Sequence, residues 1–387
     1  MINLLQNKYD CTGCTACVSI CPQKTIRMET DTEGFLYPNI DEERCVHCHL
    51  CEKICPVNGY TTESYGHQEA YAAYSLKDDV LKRSSSGGIF SEIAAYVIAQ
   101  GGVVFGAAFT KEHAVKHIAV DTAEELDLLR GSKYLQSDMN DCYIQVKQLL
   151  DSGRLVLFTG TPCQVDGLKS YLKTDYDNLI TQDIICHGVP SPLVWKAYLR
   201  QMEAKTDTSV STVNFRDKKY GWDRYCLFVK LSNESEYRKN VTEDLYMRGF
   251  LANIYLRPSC YQCRNKSTNR KSDFTLADFW GIKHVCPEME NPDGTSLVWV
   301  NSEKAKAIWE EIRDGFVYRK VDIDKAVRYN SAAVSSVAMP PKRAAFFELI
   351  RNNSFEESIN AVLPKDNFFK KLMRKAKKTV KSVMRIK

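Results

Sequence analysis

Eight of the chain's fifteen cysteines lie in its first sixty residues, in two runs with the same spacing. Each run reads C-x2-C-x2-C-x3-C-P and ends at Pro22 or at Pro56. Three thiolates at three-residue steps can point inward from one tight loop, and this spacing is typical of ligands to [4Fe-4S] clusters. Zinc modules more often use paired C-x2-C knuckles, and disulfide frameworks belong to small secreted chains. The two runs therefore predict a pair of iron-sulfur clusters.

In bacterial-type ferredoxins, which these runs resemble, the fourth cysteine of each run binds the neighbouring cluster. The resemblance implies two sets of four ligands: Cys11, Cys14, Cys17 and Cys55, and Cys45, Cys48, Cys51 and Cys21. His47 and His49 fall between ligands, but the cysteines already saturate both clusters, so we interpret them as solvated loop histidines. Between the runs, residues 26–28 and 35–37 flank a turn at 31–34 and predict a hairpin that covers the clusters.

Length and composition limit what the rest of the chain can be. At 387 residues the chain is long enough for a second core beyond this first unit. Its many cysteines and an N-terminus without a long apolar segment predict a reducing, cytoplasmic location. The most apolar run, residues 93–109, is interrupted by Gln100, Gly101 and Gly102, which favours a helix, a stop and a buried strand over a membrane span.

The basic residues are concentrated at the C-terminal end. Residues 365–387 contain ten Lys or Arg and one acidic residue, a local charge of +9. The total is +5, so the rest of the chain carries about −4, which argues against a nucleic-acid surface there. Apolar residues from Phe369 to Met384 recur at helical spacing opposite the basic ones, so the segment is either an amphipathic helix on an anionic membrane or a solvated tail.

Alternating strands and helices are predicted after a polar linker. Strands are expected near residues 70–75, 103–110, 114–120, 155–158, 179–185, 210–215, 225–231, 272–279 and 295–300, with helices near 89–100, 138–150, 191–204 and 302–313. Residues 122–125 form a capping-box sequence before a short helix. This pattern predicts an α/β fold on a mixed sheet. No nucleotide-binding glycine motif, P-loop or hydrolase elbow is present.

Four of the remaining cysteines lie in turns rich in Gly, Pro or Ser. Cys163 and Cys186 each follow a predicted strand, and Cys260 and Cys263 form a C-x2-C pair. Because open sheets place ligands at the carboxyl ends of their strands, these thiols are candidates for a common site. Four thiolates suit either a [4Fe-4S] cluster or a structural zinc ion, and spacing alone does not separate the two. Cys142 and Cys226 fit buried positions instead.

Residues 84–88, Ser-Ser-Ser-Gly-Gly, precede a predicted helix. Free backbone N–H groups at such a helix start can bind a phosphate. The same sequence is equally consistent with an ordinary serine cap followed by a glycine turn. The sequence therefore allows either a phosphate site or a simple helix cap here.

Several longer motifs in the chain resemble the coenzyme F-420 hydrogenase/dehydrogenase beta-subunit family, in the version with an N-terminal ferredoxin domain. The matching stretches are 84–90 (SSSGGIF), 131–134 (GSKY), 158–164 (FTGTPCQ), 183–188 (DIICHG), 215–217 with 221–222, 257–263 (RPSCYQC) and 272–281 (SDFTLADFWG). The resemblance implies a ferredoxin-type unit at 1–60 and the N- and C-terminal parts of a flavin-binding region at 71–170 and 171–340. Composition and spacing add a linker at 61–70 and a basic amphipathic tail at 341–387.

The same resemblance implies an FAD next to a third [4Fe-4S] cluster and hydride transfer to or from a deazaflavin or related substrate. Cys163, Cys186, Cys260 and Cys263 would hold the cluster. Residues bordering the flavin would be Ser85, Ser86, Gly87, Gly88, Lys133, Gly160, Thr161 and Pro162. Lys133 is also the candidate for stabilising a reduced flavin, or is a plain surface lysine. His187 is a candidate proton donor, or a hydrogen-bonding partner of the cluster.

Two classes of function follow from this resemblance. One is an iron-sulfur flavoprotein oxidoreductase. Iron-sulfur clusters carry single electrons, whereas most organic substrates take two, and a flavin can accept electrons singly and transfer them as a pair. The other is a non-catalytic electron-transfer subunit that links ferredoxin to a partner enzyme. Either implies a redox partner, a ferredoxin or an oxidoreductase subunit.

Overall fold

The computed structural model describes residues 4–5, 7–59 and 68–363. Within residues 7–59, two short helices carry the cysteine runs, and the predicted hairpin joins them. The elements are α1 (Ala16–Ile20), β1 (Ile26–Thr30), β2 (Leu36–Ile40) and α2 (Leu50–Lys53). The hairpin is antiparallel, with Ile26 opposite Ile40. Asp31 closes its turn by accepting the N–H groups of Glu33 and Phe35, each at 3.0 Å.

A nine-stranded mixed sheet forms the centre of the second unit and confirms the predicted α/β class. Its order is β14-β3-β13-β12-β8-β7-β4-β5-β6. The strands are β3 (Glu69–Ser75), β4 (Val103–Phe109), β5 (Val115–Val120), β6 (Ser137–Asp138), β7 (Val156–Gly160), β8 (Leu179–Ile184), β12 (Phe274–Asp278), β13 (Ser296–Val300) and β14 (Phe316–Val321). A separate antiparallel sheet holds β9 (Val210–Asp217), β10 (Cys226–Leu231) and β11 (Glu236–Asn240).

The middle of the large sheet is parallel. β12, β8, β7 and β4 pair in parallel, and Gly160 at the end of β7 lies opposite Asp183 near the end of β8. Residues 156–158 are fully buried, as expected of a strand covered on both faces. The chain segments that follow β7 and β8 therefore leave the sheet at one common edge.

Helices pack on both faces of this sheet and against the smaller one. They are α3 (Asp78–Arg83), α4 (Ile89–Ala99), α5 (Leu126–Leu129), α6 (Cys142–Asp151), α7 (Pro162–Leu172), α8 (Pro192–Thr206), α9 (Leu245–Leu251), α10 (Ile282–Val285), α11 (Glu303–Ile312), α12 (Ile323–Val327), α13 (Arg343–Leu349) and α14 (Phe355–Val362). Short 3-10 turns lie at Lys8–Asp10, Pro56–Asn58, Trp222–Arg224, Pro258–Gln262, Pro287–Met289, Arg313–Gly315 and Ser331–Ala333.

The predicted tail begins inside folded structure. Its first part, residues 341–363, forms α13 and α14, and Phe346, Phe355 and Ile359 are buried in the main core. The predicted amphipathic helix from Phe369 to Met384, like most of the predicted linker, lies outside the described residues. Over the parts of the chain that the structure describes, no helix combines the length and apolar character needed to cross a bilayer.

Candidate functional site

The first group of four cysteines is buried where the loop 11–17 meets the end of the second run. Cys11, Cys14, Cys17 and Cys55 are each at most 9% exposed. Burial, with smaller contributions from the neighbouring Cys11 and Cys55, raises the pKa of Cys14 to about 12. Gly13 makes the tight loop possible with a φ of +72° and donates its N–H to Cys11 Sγ at 3.4 Å.

The second group surrounds a small cavity of about 10 Å³ lined by Cys21, Cys45, Cys48 and Cys51. Thr25 hydrogen-bonds Cys21 Sγ through its N–H and its hydroxyl group, both at 3.4 Å. Cys48 is exposed, so this group lies at the protein surface. The structure thus brings together both sets of four that the sequence groups, each with one cysteine from the other run. Their assignment as cluster ligands stays a prediction.

The third group lies at the carboxyl edge of the large sheet. Cys163, Cys186, Cys260 and Cys263 line one cavity of about 70 Å³. Cys163 lies in the first turn of α7, and Cys186 follows β8. The start of α7 is fixed by Pro162 and by a capping box, in which the side chains of Thr161 and Gln164 each bond the backbone of the other. The Thr161 hydroxyl lies 3.1 Å from Cys163 Sγ, and the Val189 N–H donates to Cys260 Sγ at 3.4 Å.

The four thiols of this third group are partly exposed, but their surroundings favour the protonated form. Burial raises the pKa of Cys260 to about 12 and that of Cys163 well above its usual value, with their cysteine neighbours contributing. Such thiols ionise only when a positive charge, as in a metal centre, compensates the thiolate. Among the described residues, no three His, Cys, Asp or Glu side chains stand as ligands of one metal ion.

Helix α7 also contacts the first group of cysteines. A Cβ on Gly167 would lie 2.7 Å from Cys14 Cβ and 3.0 Å from Cys14 Sγ, so the missing side chain permits this approach. Gly167 is one turn after Cys163 and therefore on the same side of the helix. One helix thus borders both the third group and the first.

Arg257 forms a second connection between the two units. Its fully buried guanidinium donates to Cys11 O at 2.6 Å, to Leu36 O at 2.9 Å and to the side-chain oxygen of Gln136 at 2.9 Å. Arg257 immediately precedes the turn that carries Cys260 and Cys263. The cysteine-bearing loops of the two units are therefore held by one buried side chain.

The hairpin docks on the second unit. Arg343 makes a two-pronged, largely buried ion pair with Glu33, at 2.7 and 2.5 Å, and Phe35 and Tyr37 join the main core. Ile26 lines the second thiol cavity. The hairpin therefore lies over the thiols only at its Ile26 end. The turn at its other end attaches the small unit to the second unit instead.

A cavity of about 580 Å³ lies beside the third group, within the range of small-molecule sites. Of the predicted flavin-binding and catalytic residues, those that line it are Ser85, Ser86, Gly88, Lys133, Gly160, Thr161 and His187. Pro162 lines the thiol cavity instead. Gly87 lies behind the wall: its N–H donates to Ser296 Oγ at 2.9 Å, and a Cβ there would be 2.4 Å from Ala73 O.

The start of α4 forms one end of this cavity. Gly88 caps the helix in the left-handed conformation, at φ +84°, and Ile89 and Phe90 line the cavity after it. The hydroxyl groups of the loop are used internally: Ser85 Oγ accepts the Ser132 N–H at 2.8 Å, and Ser86 donates to Thr295 O at 3.1 Å. Ser85 Oγ also accepts from the Ser132 hydroxyl at 3.0 Å, so its own proton is not used in these contacts. The donors available to an anion are thus the backbone N–H groups of the first helical turn and the Ser85 hydroxyl.

Lys133 is not a surface lysine. Its ammonium group donates to the carbonyl oxygens of Leu128, Leu129 and Arg130 at the end of α5, at 2.8 to 3.1 Å. Burial lowers its pKa to about 7, although the three carbonyl groups favour the charged form. When protonated, Lys133 therefore places a positive charge at the cavity wall, and all three of its N–H groups are already donated to carbonyl oxygens.

Sequence reasoning missed His117, which lines the same cavity. It is buried, with Nδ1 2.7 Å from the Ser137 hydroxyl and Nε2 3.0 Å from Thr159 O. Because a carbonyl only accepts, Nε2 carries the proton, and burial lowers the pKa of His117 to about 4. It is a neutral imidazole. No motif marks it, since its partners come from two other strands.

Arg216 and Gln182, also missed, add polar groups to the wall. Arg216 is 3.0 Å from Asp278 and packs over the rings of Tyr225 and Trp280. The carboxylate of Asp278 raises the pKa of Arg216 despite burial. Gln182 is 3% exposed, and its Oε1 has no hydrogen-bond partner among the described residues.

The large cavity and the third thiol cavity share a wall. Residues 186–189 and Ala332 line both. His187 is in this wall, where its Nε2 bonds Asn253 Oδ1 at 2.7 Å, so Nε2 is the protonated nitrogen, and burial lowers its pKa. The other face of the thiol cavity includes Asp10, Thr12, Pro56 and Val57 from the small unit. The third group therefore lies between the small unit and the large cavity.

Comparison with known protein families divides the chain in the same way, into a small cysteine-rich unit and a larger unit built on the nine-stranded sheet. Residues 10–58 match the 4Fe-4S dicluster domain, residues 70–142 the N-terminal domain of the coenzyme F420 hydrogenase/dehydrogenase beta subunit, and residues 153–326 its C-terminal domain. Together these matches indicate an iron-sulfur, electron-transferring oxidoreductase subunit.

Individual relatives are more distant. An uncharacterized polyferredoxin-like protein of Methanocaldococcus jannaschii is 36% identical over 55 residues, which is 12% of this chain and 33% of that protein. The chain thus spans about a third of that relative's length. In structure, the chain is similar to a chain of the F420-reducing [NiFe] hydrogenase complex from Methanosarcina barkeri, with 16% identity, a TM-score of 0.45, and coverage of 77% of this chain and 89% of the other.

Proposed function

Because the chain belongs to the coenzyme F420 hydrogenase/dehydrogenase beta subunit family, we propose that it is an iron-sulfur flavoprotein oxidoreductase. It would pass electrons between ferredoxin-type clusters and a two-electron organic substrate, a deazaflavin or related molecule, through a third cluster and FAD. The observation that carries the proposal is the wall at residues 186–189, common to the third thiol cavity and the large cavity.

The twelve cysteines would serve as three sets of cluster ligands. The first set is buried against α7, the second is partly exposed, and the third is between the first and the large cavity. Single electrons would therefore enter or leave at the second set and move through the first and third. A structural zinc ion at the third set is the alternative, and it would interrupt this path.

The large cavity has groups that fit a flavin nucleotide. The first turn of α4 offers backbone N–H donors to the phosphates, and Lys133 and Arg216 add positive charge to the wall. When bound, a flavin collects single electrons and delivers them in pairs. Lys133 would favour a reduced, anionic ring through its charge.

His187 is suited to a proton-handling or orienting role at the boundary. Its Nε2 proton is committed to Asn253, so Nδ1 is the atom left to accept a proton or a hydrogen bond. It would act between the third set and the ligand in the large cavity.

The second candidate is a non-catalytic subunit that links ferredoxin to a partner enzyme. The exposed Cys48 favours contact with a redox protein under either proposal, so a ferredoxin or an oxidoreductase subunit is the proposed partner. We propose a cytoplasmic protein, with the basic tail making contact with anionic lipid at the membrane.

Flavin content separates the two candidates. The protein would be purified without oxygen, its bound flavin measured after denaturation, and its turnover followed with a panel of two-electron acceptors, deazaflavins included. About one FAD per chain and substrate-dependent oxidation of reduced protein are expected. Iron-sulfur absorption with no flavin and no turnover would support the electron-transfer subunit and contradict the enzyme.

A further inference from the structure

The three thiol sites differ in the charges that surround them. The third cavity is lined by four cationic side chains, Arg257, Arg264, Lys266 and Arg270, and by two carboxylates, Asp10 and Asp166. Lys271 pairs with Asp166 at 2.7 Å, and Arg270 is 3.6 Å from Asp183. Counting these neighbours, five cations face three carboxylates. By contrast, the described residues that line the second cavity include no charged side chain.

Two of these cations are placed to act on the thiolates. Arg270 is 3% exposed, and its Nε and Nη2 have no hydrogen-bond partner within the part of the chain that the structure describes. Lys266 donates to Cys186 O and, at 2.8 Å, to Ala332 O. Any negative charge on the third site is thus stabilised by the buried Arg270, which solvent screens weakly, and by the partly buried Lys266.

Hydrogen bonds to sulfur do not produce the same difference. Cys163 and Cys260 accept one contact each, from Thr161 and Val189. Cys21 in the second site accepts two, both from Thr25. The reduction potential of a cluster depends on nearby charge, on hydrogen bonds to sulfur and on solvent exposure. Of these three factors, only the nearby charge favours a higher reduction potential at the third site than at the second. Burial acts in the opposite direction, so the cations must outweigh it.

We propose that Arg270 and Lys266 hold the third cluster at a higher reduction potential than the surface cluster of the small unit. This rests on the proposed function. An electron that enters at the surface cluster from a low-potential iron-sulfur donor then moves downhill to the third cluster, beside the ligand in the large cavity. In this direction two one-electron oxidations of the donor supply both electrons that, with one proton, the organic substrate gains as a hydride equivalent.

The test is a redox titration of anaerobically reconstituted protein followed by electron paramagnetic resonance. The signal that Cys260→Ser removes identifies the third cluster, which is expected to be reduced before the surface cluster. Arg270→Gln is expected to shift the equilibrium constant for its reduction at least tenfold towards the oxidised form, about 59 mV for one electron. Lys266→Gln, which leaves the buried pair with Asp183 intact, should shift it in the same direction.

Lys283→Gln is the matched control, since it removes a surface charge paired with Glu290 at 2.9 Å. It should leave the third potential unchanged. A third cluster that is reduced after the surface cluster, or that neither Arg270→Gln nor Lys266→Gln shifts relative to Lys283→Gln, overturns the inference while leaving the proposed function standing. If no third signal exists and zinc is bound instead, the proposed function itself fails.

Discussion

Replacing Gly167 by alanine tests the contact between the two units at one atom. The added Cβ would lie 2.7 Å from Cys14 Cβ, 2.8 Å from the Tyr143 hydroxyl and 3.0 Å from Cys14 Sγ. Contacts this short require movement, and both neighbours are buried. Either the loop that carries Cys14 moves away from α7, or the hydrogen bond of 2.6 Å from Tyr143 to Gln164 O is disturbed.

The expected cost can be worked out from two opposing effects. Overpacking of a tight interior costs about 1–3 kcal/mol, and the site belongs at the upper end because atoms crowd it on two sides. Alanine in a helix interior gains about 1 kcal/mol over glycine. The free energy of unfolding of Gly167→Ala should therefore fall by about 2 kcal/mol.

Anaerobic urea unfolding of the iron-loaded protein measures this change, and iron analysis measures retention of the cluster next to Cys14. Gly315→Ala is the matched control, because a Cβ there meets no atom within 4 Å and needs no unusual backbone angle. We expect loss of stability and of iron in Gly167→Ala only. Equal stability and equal iron in the two variants would refute the close contact between α7 and the small unit.

Three further predictions concern the large cavity and the tail. Gly87→Ala should displace the loop at residues 84–88, because its Cβ would be 2.4 Å from Ala73 O, so bound flavin should fall while iron content stays constant. Lys133 has a pKa lowered from 10.5 to about 7, so its buried charge costs stability in full below pH 7 and progressively less as the pH rises towards 10.5. The stability difference between the wild type and Lys133→Met should change over that interval, and an unchanged difference would show that the lysine stays charged. Deletion of the residues after Pro364 should abolish salt-sensitive co-sedimentation with anionic liposomes, and equal pelleting of both chains would exclude a membrane role for the tail.

Features that depend on local spacing could be predicted from the sequence. The cysteine runs fix their own loop geometry, so the two groups of four in the small unit follow from residue intervals. The third group could also be predicted, because Cys163 and Cys186 each follow a buried strand and neighbouring parallel strands end at the same edge of a sheet. Helix α7 was missed although Thr161, Pro162 and Gln164 form a recognisable helix start.

Features that depend on distant partners could not be predicted. His117 is held by Ser137 and by Thr159, and Arg257 gains its role from Cys11 and Leu36, more than two hundred residues away. The three carbonyl groups around Lys133 belong to the end of a short helix whose position only the fold determines. The internal use of the Ser85 and Ser86 hydroxyls likewise depends on strands that are distant in sequence.

The metal content of anaerobically reconstituted protein tests the central claim, a third cluster between the small unit and the large cavity. Three cubanes give about twelve iron atoms per chain with no zinc, and Cys260→Ser should lose about four of them. About eight iron atoms with one zinc, or an iron content that Cys260→Ser leaves unchanged, would contradict the account.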